Sequence, residues 1–111
     1  MIKKLYSNLI NSLNGLKIVL KENSFILELV LGVFLIPYIF LSNIDLNYKI
    51  ILSVLYFLLL AFEIMNTAVE KLCDRVTTDL DSEIKKIKDL SSAAVFLVLT
   101  LLVVFFLVTF Y

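Results

Sequence analysis

Three stretches of the chain are almost empty of charge. Between Glu22 and Asp45 the only charged side chain is Glu28, between Lys49 and Glu70 it is Glu63, and from Leu90 to Tyr111 there is none. A bilayer's hydrocarbon core, about 30 Å thick, is crossed by about 20 apolar helical residues, and each stretch has that length. The pattern predicts transmembrane helices over 24–43, 47–70 and 90–111. Pro37 falls inside the first, where a membrane helix tolerates it if neighbours satisfy the freed carbonyl. Residues 1–21 follow a different rule. Ile2, Leu5, Tyr6, Leu9, Leu13, Leu16 and Leu20 recur at steps of three and four, which marks an apolar stripe on one helix face. Asn8, Asn11, Asn14, Lys17 and Lys21 lie mostly off that stripe. Such an amphipathic helix is expected to lie in the membrane interface, with Gly15 as its weak point. Packing against a partner subunit is the alternative. The polar segment 71–89 reads as a linker between the second and third spans.

Composition narrows the class. Of the 111 residues, 61% are hydrophobic and 18% charged, with ten Lys+Arg balancing ten Asp+Glu. Soluble domains run at about 45–50% apolar and about 25% charged, and a small globule has little interior in which to hide an excess. An ordinary soluble domain, a disordered tail and a nucleic-acid binder with a basic face are excluded. A disulfide scaffold is excluded too, because Cys73 is the single cysteine. Two glycines and one proline leave almost no turn chemistry for a many-stranded β fold. The start of the chain does not read as a secretory signal, since its first long hydrophobic run begins late and lacks a cleavage pattern. The expected fold class is an all-α membrane protein, an N-terminal amphipathic helix followed by three transmembrane helices. Lys3, Lys4, Lys17 and Lys21 precede the first span, and Lys71, Arg75, Lys85, Lys86 and Lys88 follow the second. Positive residues stay inside, so the N-terminus and the 71–89 linker are expected in the cytoplasm and the C-terminus outside.

Candidate chemistry concentrates at the end of the second span. Ionisable residues inside membrane helices cost at least about 2.5–3.5 kcal/mol at the bilayer centre, so their presence asks for a function. At about 100° per residue, Glu63, Asn66, Glu70 and Asp74 fall within one arc of about 80°. Three carboxylates and a carboxamide thus descend a single face toward the cytoplasmic surface, with Thr67 near the arc. Glu22 and Glu28 open the first span at similar depths. Carboxylates at helical spacing repel, and a hard cation such as Mg²⁺ relieves that repulsion, preferring one or two carboxylates plus phosphate oxygens and water. Glu63, the deepest, suits proton abstraction. Glu70 and Asp74 are shallower, where a metal-bound nucleotide has access. Lys88 and Asp89 bring the chain back to the same surface. A polar stripe also glues helices together or lines a pore, and that reading stands beside the enzymatic one.

The stretch Glu63-Ile-Met-Asn66-Thr-Ala-Val-Glu70-Lys-Leu-Cys-Asp74-Arg75 resembles the E-x-x-N-[ST]-A-[IV]-E-x-x-x-D signature of the bacterial integral-membrane diacylglycerol kinases and their undecaprenol kinase relatives. Lys88-Asp89-Leu90-Ser91-Ser92-Ala93-Ala94-Val95 is similar to that family's entry to its last helix, and Glu22-Asn-Ser-Phe25-Ile-Leu-Glu28 to its E-x-x-F-x-x-E block. The three blocks stand in the family's order. The resemblance implies a homotrimeric helical bundle that passes the γ-phosphate of Mg-ATP to a lipid alcohol in the bacterial inner membrane, at sites shared between subunits. Glu63 is then the general base. Glu22 and Glu70 bind the metal that carries the nucleotide phosphates, and Asn66, Asp74, Lys88 and Asp89 position or neutralise those phosphates. Asp79 stands where the family's linker has its acidic residue and joins the nucleotide contacts. Phosphoryl transfer needs positioning and charge stabilisation more than covalent chemistry, and Gly15 and Gly32 cannot form a P-loop.

The sequence departs from the family at Ile26 and Leu27, where a polar residue is usual, and at Leu80 and Asp81, in place of an aromatic and a histidine. A tyrosine that touches nucleotide in relatives falls near Asn11. These changes spare the acidic stripe and fall on the surroundings of the adenine. Asp74-Arg75 and Ser92-Ala93-Ala94 look more like the diacylglycerol branch, and Thr67 and Val76-Thr77 more like the undecaprenol branch. The reading is a diacylglycerol kinase, with undecaprenol kinase as the alternative within the family. A small oligomeric cation-handling membrane subunit is the alternative of another class. Cys73 is expected at the membrane edge, facing away from the acidic arc.

Overall fold

Four helices follow one another in the computed structural model, which describes residues 1–111: α1 (Ile2–Val19), α2 (Asn23–Leu41), α3 (Leu46–Val76) and α4 (Ser82–Val108). The last three are long and apolar enough to cross a membrane. Only 14 of the 111 residues are buried, so most of the apolar surface faces outward. Phe34 and Phe40 are each 74% exposed. In water such a surface would drive aggregation, whereas a lipid phase requires it of a spanning helix.

α3 and α4 are longer than the apolar stretches that predict them. α3 continues past Glu70 to Val76, and α4 begins at Ser82, well ahead of Leu90. The segment 71–89 is therefore mostly helix, and only 77–81 turns the chain. Charge keeps a residue out of hydrocarbon but not out of a helix, and Lys and Glu are good helix formers. Ion pairs at helical spacing decorate the start of α4: Lys86 to Glu83 at 3.1 Å and Lys85 to Asp89 at 2.6 Å.

The turn has its own local chemistry. Thr77 leaves α3 in an extended conformation while its N–H still donates to the Cys73 carbonyl, and its Oγ1 accepts from the Asp79 N–H at 3.0 Å. Asp81 caps α4, its Oδ1 accepting from the N–H groups of Glu83 at 2.9 Å and Ile84 at 3.0 Å. Loss of such a cap costs about 1 kcal/mol. Asp81→Ala is expected to speed amide exchange at Glu83 and Ile84 by about fivefold, and unchanged exchange there would remove the cap from the account of how α4 starts.

α3 packs along α4 on one side and against α2 on another, around a core of Leu35, Ile39, Leu52, Tyr56, Leu59, Val98 and Leu102. At the end remote from the acidic residues, the Tyr38 hydroxyl meets Thr109 Oγ1 at 2.7 Å and the Tyr38 ring packs edge-on against Phe106 at 5.0 Å, joining α2 to the end of α4. α2 runs unbroken through Pro37 and α1 unbroken through Gly15. α1 stands apart from the bundle: Val19 is its one buried residue, and Leu5, Leu9, Leu13 and Leu16 are all exposed.

Candidate active site

Helical period alone carries Glu63, Asn66, Glu70 and Asp74 down one face of α3. Packing then divides them by exposure. Glu63 is 5% exposed and Asn66 7%, with Thr67 buried beside them, whereas Glu70 and Asp74 are exposed. Asn66 Nδ2 donates to Glu70 Oε1 at 3.2 Å, and the other end of its amide, Oδ1, is buried with no partner. Buried polar atoms are rarely left unpaired, so this oxygen is available to a donor arriving from outside the chain.

The start of α2 supplies the facing groups. Glu22 occupies the N-cap position of α2 without using its side chain as a cap, and its Oε1 meets Lys71 Nζ at 3.4 Å. Glu28, about two turns further along α2, has a buried carboxylate oxygen, Oε2, with no partner. Glu63 lies within electrostatic reach of Glu70 and Glu22 from two helices, and Glu28 within reach of Glu63. Three carboxylates of α2 and α3 thus lie within electrostatic reach of the buried acid of α3, and Lys71 is the cation paired to one of them, Glu22.

At the charged end of the bundle Lys88 Nζ donates to Asp74 Oδ1 at 2.7 Å, joining α4 to α3. Beside it lies an open hollow of ≈ 570 Å³ between the 77–81 turn and the first turns of α4, lined by Thr77, Asp79, Asp81, Lys85 and Lys88 among others. Asp79 is thus exposed at the mouth of the hollow rather than on the stripe. Asp89 bonds to Lys85 on the outer side of α4 and does not join Lys88 against Asp74.

Two features escape a reading by residue type. Lys71 counts in the sequence as one of several orienting cations, yet it pairs with Glu22. Tyr56, buried in the core, donates its hydroxyl to the Glu28 carbonyl at 2.9 Å. The available signal is spacing, since Tyr56 lies seven residues before Glu63 and so shares its helix face. Cys73 is a correction: it is buried and lies near Lys88, because the extension of α3 past Glu70 turns that residue into the α3–α4 contact.

Glu22 and Glu70 are hard oxygen donors of the kind Mg²⁺ takes, but no three acidic or thiol groups converge into a closed cage. Magnesium usually retains waters and completes its shell with substrate phosphates. The donor set fits an ion brought in with a nucleotide and does not fit one held by protein alone.

Residues 10–110 match the family model described as prokaryotic diacylglycerol kinase. The chain belongs to the prokaryotic diacylglycerol kinase family. The match runs from the middle of α1 to the end of α4, well beyond the acidic signature. A diacylglycerol kinase of a Sinorhizobium species is 33% identical over 94 residues, covering 84% of this chain and 68% of that protein. A diacylglycerol kinase of Pseudomonas aeruginosa is 34% identical over 83 residues, covering 75% of this chain and 68% of that protein. The family expected from the blocks at 22–28, 63–75 and 88–95 is the family found. Within the prokaryotic diacylglycerol kinase frame, the acidic cluster of α2 and α3 is the candidate for the transfer chemistry.

Proposed function

We propose that this member of the family transfers the γ-phosphate of Mg-ATP to the hydroxyl of diacylglycerol, giving phosphatidic acid. The observation that carries this reading is a carboxylate, Glu63, 5% exposed on a membrane helix, with Glu22 and Glu70 within electrostatic reach and the Lys88–Asp74 pair at the charged end of the same bundle. A group so costly to bury has a use where a proton must leave an alcohol that itself resides in lipid.

In this mechanism Glu63 accepts the proton of the lipid hydroxyl as its oxygen attacks the γ-phosphorus. The new O–P bond forms as the bond to the β–γ bridging oxygen breaks, and ADP departs. Glu22 and Glu70 would hold Mg²⁺, which would supply charge neutralisation for the phosphate groups. Asn66 offers its amide, Asp74 orients the Lys88 ammonium, and Lys88 moves from the carboxylate to the phosphates when nucleotide binds. Asp79 and Asp89 meet the nucleotide from the rim, Asp89 after leaving Lys85.

The protein works as a homotrimer, the exposed apolar faces of the protomer being shared between partner subunits and lipid. α1 lies in the membrane interface with its leucines toward the acyl chains, a placement supported by the exposure of its whole apolar stripe. The lysine and arginine distribution puts the N-terminus and the active site in the cytoplasm and the C-terminus on the far side of the inner membrane.

Purified protein in mixed micelles with Mg-ATP is expected to phosphorylate diacylglycerol faster than undecaprenol. A preference for undecaprenol assigns the lipid to the other branch. Failure with both alcohols, together with cation flux into vesicles that depends on Glu63 and not on Lys88, would replace the kinase by a conducting subunit.

A further inference from the structure

We infer that Tyr56 and Gly32 form a positioning pair that sets Glu28 against Glu63, a role that rests on the kinase reading of the acidic cluster. Tyr56 is 3% exposed and lies on the α2-facing side of α3. Its hydroxyl crosses to α2 and donates to the backbone carbonyl of Glu28 at 2.9 Å. The crossing is possible only because of Gly32, one helical turn after Glu28. A Cβ at that position would overlap the Tyr56 hydroxyl and its ring carbon Cζ, with Cε2 only 3.1 Å away. Gly32 is itself buried, and the three atoms nearest the missing Cβ all belong to the tyrosine.

The pair has a direction as well as a place. On α3, Tyr56 and Glu63 are two turns apart on one face; on α2, Gly32 and Glu28 are one turn apart on one face. The seat therefore clamps the two helices just above the point where their acids face each other. Glu28 has a buried oxygen without a partner and stands within electrostatic reach of Glu63. Two carboxylates in low-dielectric surroundings push each other apart, and a hydrogen bond from one helix to the other at this level opposes that separation. The Tyr56 hydroxyl is committed to the Glu28 carbonyl, so its role is positioning rather than catalytic. It acts through the backbone of Glu28, holding the cleft in which the lipid hydroxyl meets Glu63 to one width.

The test uses the full-length protein in micelles, with lipid and nucleotide varied separately. Tyr56→Phe keeps the ring and removes the bond. Gly32→Ala keeps the acids and fills the notch. Each variant is expected to lower kcat/KM for the lipid alcohol about five- to tenfold, the loss that follows when one ordinary hydrogen bond of positioning is removed, while KM for Mg-ATP stays within about twofold. The double variant is expected to lose little more than the worse single one, because both changes unseat the same contact. A merely structural role would instead reduce the folded fraction and leave both KM values of the surviving enzyme alone. Wild-type lipid kinetics in Tyr56→Phe would overturn the inference, as would equal losses toward lipid and nucleotide. If the unmodified protein transfers phosphate to no lipid alcohol, the kinase reading itself has failed, a result distinct from these.

Discussion

Replacing Glu63 by Gln is expected to abolish phosphate transfer while leaving the folded protein and its nucleotide binding in place. The amide has nearly the volume of the acid, so the buried site on α3 is neither emptied nor overfilled. It also removes a negative charge within electrostatic reach of Glu22, Glu28 and Glu70, so the bundle loses repulsion rather than attraction. What disappears is the proposed proton acceptor, and a positioned general base contributes about 10²- to 10⁴-fold. Turnover with diacylglycerol should fall by that factor, with KM for Mg-ATP little changed and the detergent-solubilised protein eluting as before. Retained turnover in a folded Glu63→Gln protein would take the base assignment away.

Glu70→Ala is expected to act on the other substrate. Glu70 is exposed, so truncation leaves no cavity, and its Asn66 partner gains access to water or phosphate. The cost falls on the ion that Glu70 is proposed to hold with Glu22. KM for Mg-ATP should rise by about 10- to 100-fold, the range typical when a group supporting a bound metal is lost, and raised Mg²⁺ should recover part of it. KM for the lipid should change far less. An unchanged response to Mg-ATP would move the metal away from this carboxylate.

The two variants divide the cluster by depth. In the proposed mechanism the deep acid acts in the chemical step and the shallow one in nucleotide binding, a division that follows their exposure: Glu63 is buried and Glu70 is not. The stripe itself is legible in the sequence, since helical period alone brings Glu63, Asn66, Glu70 and Asp74 onto one face. The three spans are legible as well, marked by the stretches without charge that a bilayer demands. Family membership follows for the same reason: its signature lies within successive turns of α3 and at the starts of α2 and α4.

Pairings between helices are not legible in this way. Lys71 meets Glu22, Lys85 takes Asp89 to the outer side of α4, and Cys73 is buried near Lys88 rather than turned away from the acidic groups. Each depends on how far the helices run past their apolar parts and on how they rotate about one another. The continuation of α3 to Val76 and the early start of α4 at Ser82 replace a linker by a packed helical contact, and Lys88 reaches Asp74 through that contact.

The amino-acid order alone determined the number of apolar spans and the face on which the acids lie, because bilayer thickness and helical period act within a single segment. Only the tertiary structure decided that Tyr56 would enter a notch at Gly32, that Glu28 would come within electrostatic reach of Glu63, and that Asp89 would turn outward. Those outcomes rest on the close approach and relative rotation of α2, α3 and α4, which long-range packing determines and local periodicity does not encode.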